Sequence, residues 1–467
     1  MSQSLVMIGF EHPRISQAQE FFSRALLSQE YMRDGYTRHV YDVEHTAEPS
    51  SDTITPMMHL APDDPQWRQR AARLAGLMEQ VWTGRNQRGQ VQFKSTYFSA
   101  QRVDDNPLRA CDTPYHVRAI DPALVLWLRT GDERLQRLFT SWLDTWVDAT
   151  ARAERGKPAG VIPAAIRWPS GESAGPGPQW WDPRHHGEPK LYEWPSAVHG
   201  LADALLLGYH MTHDERYLQP LRSMAAIRLE WLKHPGDDQP EPGSRRWCGS
   251  KLGFLAGTLA KYRLLTGRAE FDELLARDDA ASSVGAGDPQ RSRLARSLRQ
   301  TAQALAVNFP GRTSEVRYTD RVFAFARLFG TDMLFPEAVP TCQQRPDVSL
   351  LYTTATGDRG GFLVFPLNAV RWLTEPREIA ALVTDRGPDR LSAELFHFGE
   401  RPRPIRAELY LLSAGRYRWT LMDDRATAIA PPTTFAVDSP RTRIAFELPP
   451  RRRCVLQVVA QPATAPR

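Results

Sequence analysis

Asp121-Pro-Ala-Leu-Val-Leu-Trp-Leu-Arg129, running into Thr130-Gly-Asp-Glu-Arg-Leu135 and then Leu138-Phe-Thr-Ser-Trp-Leu143, decides the fold because its grammar recurs. A second copy reads Gly200-Leu-Ala-Asp-Ala-Leu-Leu-Leu-Gly-Tyr-His210, then Thr212-His-Asp-Glu-Arg-Tyr-Leu218. A third reads Phe254-Leu-Ala-Gly-Thr-Leu-Ala-Lys-Tyr262, then Thr266-Gly-Arg-Ala-Glu-Phe271. Each sets an apolar helix, a Thr-centred turn, a charged step and another apolar helix. Thr or Asp caps the incoming helix and Gly ends the outgoing one, so each copy predicts an antiparallel helical hairpin. One hairpin cannot bury its apolar face alone. Repetition therefore predicts stacking into a ring or solenoid.

Outward from the repeat, a helix is expected around Ala18 to Leu27, and Asp63-Asp-Pro-Gln-Trp67 opens a stronger one. Its Pro sits in the first turn, and Trp67, Leu74, Leu77, Met78 and Val81 recur at helical spacing. Hairpins are expected to continue to about Phe329, interrupted by a Gly/Pro/Trp-rich insert from Gly156 to Trp194 and by loops at Pro235 to Arg246 and Ala280 to Gln290. The pattern changes near Phe335. From about Arg345, period-two alternation dominates, as in Gly361-Phe-Leu-Val-Phe, Ile379-Ala-Ala-Leu-Val, Arg406-Ala-Glu-Leu-Tyr-Leu-Leu, Tyr417-Arg-Trp-Thr-Leu and Val455-Leu-Gln-Val-Val. Short strands between Gly, Pro and Asp turns predict an all-β module, a sandwich. The expected division is an N-terminal helical and loop segment over 1–62, which could also belong to the ring, a helical domain over 63–335 and a β domain over 346–467.

The chain of 467 residues is long enough for two domains, and 42% apolar residues with thirteen Trp predict an ordered globule. Its 59 basic residues face 54 acidic ones, a balance compatible with an acidic substrate and offering no footprint for nucleic acid. Cys111, Cys248, Cys342 and Cys454 form no CxxC pair, which leaves buried free thiols as the simplest reading. No apolar run is long enough to span a bilayer, and no signal-peptide pattern opens the chain. A cytoplasmic protein and a fragment of an exported one both fit, and the oligomeric state is open.

In a ring of hairpins the inner helices converge, and their first turns favour anionic groups. Five mixed aromatic and ionisable clusters precede expected inner helices: Gln92 to Tyr97, Asp112 to Arg118, Tyr192 to His199, Arg245 to Lys251, and Glu315 to Arg321. Aromatic rings stack on sugar faces, while Arg and Lys hold carboxylates or sulfates. Trp168, Trp180, Trp181 and Trp194 in the insert, with Trp247 and Lys251, are candidate substrate contacts, although the indoles could equally pack the insert.

This layout resembles the (α/α) toroid carbohydrate-active enzymes, which include polysaccharide lyases and six-hairpin glycoside hydrolases, often with a β-sandwich after the toroid. The resemblance covers roughly residues 60 to 467. It rests on the architecture and on Tyr115-His-Val-Arg118 and Tyr192-Glu-Trp194…His199, at superfamily level rather than on one family's catalytic signature. It implies a complete or incomplete toroid followed by a β-sandwich, and a polysaccharide or oligosaccharide substrate. Similar lyases pair a His with a Tyr, which makes His199 or His116 candidate bases and Tyr192, Tyr115 or Tyr318 candidate acids in β-elimination from a uronic-acid polymer. Arg118, Arg246 and Arg321 would offset the substrate carboxylate. Both histidines could instead bond helix ends.

Hydrolysis needs two carboxylates flanking the bond. Glu193 is the best acid, between two aromatics, with Asp112, Asp121, Glu188 or Asp320 as the second, though Asp112 and Asp121 also read as helix caps. His185-His186 with Asp182 and Glu188 looks like a metal cluster but reads better as polar loop, so no metal is expected. No P-loop, dinucleotide fingerprint or GxSxG elbow is present, and no organic cofactor is implied. A non-catalytic carbohydrate-binding scaffold is the remaining alternative. An enzyme predicts that the clusters converge, and a scaffold predicts that they scatter.

Overall fold

The computed structural model describes residues 9–11, 13–33, 35–175, 177–182, 192, 194–236, 238–278, 294–303, 348–358, 368–375, 378–439 and 441–462. The helices are α1 (Pro13–Leu27), α2 (Val43–Leu60), α3 (Pro65–Leu77), α4 (Val117–Thr130), α5 (Glu133–Ala151), α6 (Val198–Thr212), α7 (Gln219–Lys233), α8 (Arg245–Lys251), α9 (Leu255–Thr266), α10 (Asp272–Arg277) and α11 (Val348–Thr356). A further helical stretch covers 294–303.

All three expected hairpin turns form, by one device. The hydroxyl of Thr130, Thr212 and Thr266 donates to the carbonyl four residues back, at 2.8, 2.7 and 2.9 Å. The same oxygen accepts the N–H two residues on, from Asp132, Asp214 and Arg268. The residue between is left-handed: Gly131 and Gly267 as expected, but His213 at φ 58° in the second copy. A side chain there costs backbone energy that Gly avoids. Asp132 and Asp214 then cap the next helical segment by accepting its first backbone N–H groups.

The turn recurs a fourth time. Thr356 donates to the Tyr352 carbonyl and accepts from Asp358 N–H, with Gly357 left-handed at φ 82°. Residues Val348–Thr356 are therefore helix, where period-two reading expected the strand region to have begun.

The helices form two layers. In the first, α2 packs on α4, α4 on α6, and α6 on α9; α3, α5, α7 and α10 cover them. Helix α6 is buried from Val198 to Tyr209 apart from His199, as expected for an element apolar all round. Polar side chains inside the first layer join across it. The Thr55 hydroxyl donates to Asp121 at 2.8 Å, while Thr258 and Lys261 donate to Asp203 at 2.6 and 3.1 Å. Helix α2 lies within the N-terminal segment and belongs to this layer.

Beyond α11 the chain forms β1 (Val370–Trp372), β2 (Ile379–Arg386), β3 (Arg390–His397), β4 (Arg403–Leu409), β5 (Gly415–Asp423), β6 (Thr433–Val437), β7 (Thr442–Leu448) and β8 (Arg453–Ala460). They make antiparallel sheets in the orders β2-β3-β8-β5-β6 and β7-β4-β1, and neither closes into a barrel among the described residues. Alternate residues point inward, so Val383, Leu395, Leu421 and Leu456 of the first sheet share one core with Ile405, Ala407, Ile444 and Leu448 of the second. The strand read at Gly361 to Phe365 lies outside the described residues. Sheets and helices are tied together: Phe10 bridges to Trp372, Arg371 donates to the His59 carbonyl at 2.9 Å, and Arg441 pairs with Asp63 at 2.8 Å.

No helix among the described residues is long and apolar enough to cross a membrane. Cys111, Cys248 and Cys454 are buried free thiols, as expected; Cys342 lies outside the described residues.

Candidate functional site

The first turns of α2, α4 and α6 meet at one end of the first layer. Tyr115, just before α4, packs its ring at 5.1 Å, tilted by 51°, against Tyr192, and its hydroxyl accepts from Arg118 Nη1 at 2.8 Å. Arg118 also donates to Ser51 at 3.3 Å and stands 3.6 Å from Glu44 of α2. Tyr192 is buried, with its hydroxyl accepting the Glu44 N–H at 3.3 Å. Burial pushes the Tyr115 hydroxyl up, while the Arg118 charge pulls it back. Arg118 can only donate, so Tyr115 accepts there and its own proton is directed elsewhere.

His116 is corrected. It is wholly buried between Phe93, at 4.1 Å, and Phe98. Its Nε2 lies 3.1 Å from the Ser95 carbonyl, and Nδ1 meets the Thr113 N–H at 2.9 Å and Asp112 at 3.0 Å. Both nitrogens serve the fold, so His116 is a core residue. Asp112 is equally buried and accepts from Phe93 N–H and Trp142 Nε1, which removes it as a second carboxylate. Tyr192 is a support for Tyr115 more than an acid, because its side chain is covered.

His199 stays exposed on the first turn of α6. Its Nδ1 lies 3.0 Å from the Ser196 carbonyl. A carbonyl only accepts, so the neutral ring carries its proton on Nδ1 and leaves Nε2 as an open base.

Four indoles assemble beside Tyr192. Trp194 packs on Trp180 at 5.3 Å and on Trp247 at 5.1 Å, and Trp181 packs on Trp247 at 5.7 Å. Trp180 and Trp194 form the buried base of this cluster, with their N–H groups on the Gly243 and Ile162 carbonyls; Trp181 and Trp247 are only partly buried. Lys251 is exposed four residues after Trp247, on the same helical face. Trp168 is apart from this cluster: its ring covers Gly84, where an added Cβ would come within 2.8 Å. Arg246 is also turned away, gripping both Asp238 oxygens at 2.8 and 2.9 Å and the Pro235 carbonyl at 2.6 Å. Its charge is already met. Glu193, Tyr318, Arg321, Glu188, Asp320, His185 and His186 lie outside the described residues.

Sequence reading missed the acidic face of α2. Glu44, Glu48 and Asp52 follow at four-residue spacing, and all three act on Arg118 or its neighbours. Burial raises the Asp52 carboxyl, assisted by Glu48 and opposed by Arg118. The spacing was visible, but two prolines, Pro49 and Pro56, argue against a helix there. Asp42, Glu44 and His45 each bring one ligand atom within 4.8 Å of the others. Asp42 already caps α2 through the Glu44 and His45 N–H groups and bonds the His45 ring, so capping accounts for the grouping.

Asp121 serves the interior. Burial lifts its carboxyl from 3.8 to about 7, with Thr55, Arg118 and Lys261 opposing. Between those values the folded state holds a proton that the unfolded chain has released, so this group's contribution is full below pH 3.8 and lost as pH rises through about 7. Asp121→Asn is therefore expected to flatten stability between pH 4 and 7, measured by urea titration. An unchanged slope in that window would place the proton elsewhere.

The chain matches no family model and no curated protein.

Proposed function

We propose that this chain cleaves an acidic, uronic-acid-containing polysaccharide by β-elimination at the end of the helix layer where Tyr115 and His199 lie, and that the layer is part of an (α/α) toroid, with the two sheets as its β-sandwich. The observation that carries this reading is the Tyr115 hydroxyl, which accepts from Arg118 and so keeps its own proton for another partner. His199 Nε2 is the base for the C5 proton, and Tyr115 protonates the departing glycosidic oxygen. Arg118 is largely balanced by the α2 carboxylates, so its work is on Tyr115. Lys251 is the better neutraliser of the uronate, with Trp181 and Trp247 as stacking faces.

Glu44, Glu48 and Asp52 favour a second reading. Carboxylates crowding one arginine supply the pair that glycoside hydrolysis requires, with the raised Asp52 as acid. One assay separates the two. The protein is incubated with a panel of uronic-acid polysaccharides while ultraviolet absorbance and reducing ends are followed. Elimination creates an unsaturated uronate that absorbs; hydrolysis creates reducing ends without it. No product from any member of the panel would sink both and leave a carbohydrate-binding scaffold.

A further inference from the structure

A cleft of about 970 Å³ opens at the opposite ends of the same helices, between the last turns of α2, α4, α6 and α9 and the sheet residues around β1, β4 and β7. Its wall holds polar atoms with nothing to bond. His59 Nε2, Arg129 Nε, Arg371 Nε and Thr442 Oγ1 are all buried and unpartnered, and all four residues line the cleft. His59 itself is only 9% exposed.

The nature of these atoms says what is missing. Arg129 Nη2 donates to His59 Nδ1 at 3.1 Å, so neutral His59 carries its proton on the unpartnered Nε2. Arg371 Nη1 donates to the His59 carbonyl at 2.9 Å, which brings the second guanidinium to the same residue. Three of the four orphans are therefore N–H donors gathered about one histidine. Leaving buried donors unmet is costly.

The other arginines of the cleft are matched. Asp63 takes Arg68 and Arg441 at 3.0 and 2.8 Å, and Glu408 takes Arg443 at 3.1 Å. Arg129 and Arg371 have no carboxylate within 4.0 Å among the described residues. The helix ends contribute only partial negative charge, short of two guanidinium charges. Burial, with the Arg441 and Arg371 charges, pulls the Arg129 guanidinium down against the opposing pull of Tyr410 and Glu408, and burial with Arg129 and Arg371 holds His59 neutral.

The geometry points to a binding site for a small oxyanion, a phosphate or carboxylate group, held in this cleft by Arg129, Arg371, His59 and Thr442. Such a group offers several acceptor oxygens to converging donors and cancels the local charge. The inference does not rest on the saccharide reading, and its site is at the other end of the helices.

Calorimetric titration of the full chain at pH 7 tests it, with inorganic phosphate and with sodium glucuronate as probes against sodium chloride of equal ionic strength. Saturable one-to-one binding of either probe is expected. Phosphate alone would identify a phosphate group, and glucuronate would identify a sugar carboxylate. Arg129→Met and Thr442→Val should each weaken binding about tenfold or more, the loss of one charged-group hydrogen bond. If Arg129→Met does not fold, Thr442→Val and Arg129→Lys, which keeps the charge and loses the fork, carry the comparison. No saturable binding of either probe, or variants that bind as tightly as the parent chain, would overturn the assignment.

Discussion

Lys261→Met is expected to lower the unfolding free energy by about 3–5 kcal/mol, because it strands a buried charge. Lys261 is fully buried, and its ammonium donates to Asp203 Oδ2 at 3.1 Å across the α6–α9 contact. Met removes the charge and keeps much of the volume, leaving the Asp203 carboxylate with Thr258. Replacing both members, as Lys261→Met with Asp203→Leu, should recover most of the loss, since a buried pair is rarely more stable than apolar residues of similar size. Urea titration of the two single variants and the double variant measures the coupling. A cost below about 1 kcal/mol for Lys261→Met would mean that the pair behaves as a solvated one.

Tyr115→Phe is expected to cut turnover about 10²–10⁴-fold with little change in KM, which is the usual worth of a positioned proton donor. The ring remains packed on Tyr192, so folding should survive. Tyr192→Phe should do far less, because its hydroxyl is buried and receives the Glu44 N–H. His199→Ala should approach the Tyr115→Phe loss. Full turnover in Tyr115→Phe, on any substrate the panel finds, would remove this hydroxyl from the chemistry.

Much of the fold was readable before any coordinates. The Thr turn depends on bonds spanning two and four residues, so three copies are legible in the sequence, and the Asp caps of the first two with them. The fourth, at Thr356-Gly-Asp358, carries the same letters inside a stretch whose β-like alternation from Arg345 masks it. Local grammar was the better guide there. At the site, Tyr115 with Arg118 was legible because the two sit one helical turn apart. Trp180, Trp181 and Trp194 were expected together with Trp168, whereas the structure sets Trp247 in that place and divides the cluster into a buried base and an accessible rim. Burial of that kind depends on what another segment places overhead.

The sequence alone determined the Thr-centred turns, the order of helices before strands, and the residues that begin α4 and α6, because those features are built from neighbours in the chain. Only tertiary structure decided that His116 belongs to the core, that Arg246 is already paired, that α2 lays carboxylates against Arg118, and that unmatched donors gather around His59. Each of these turns on partners 8 to more than 300 residues away in sequence. Burial and charge pairing are properties of such meetings, and no local pattern encodes them.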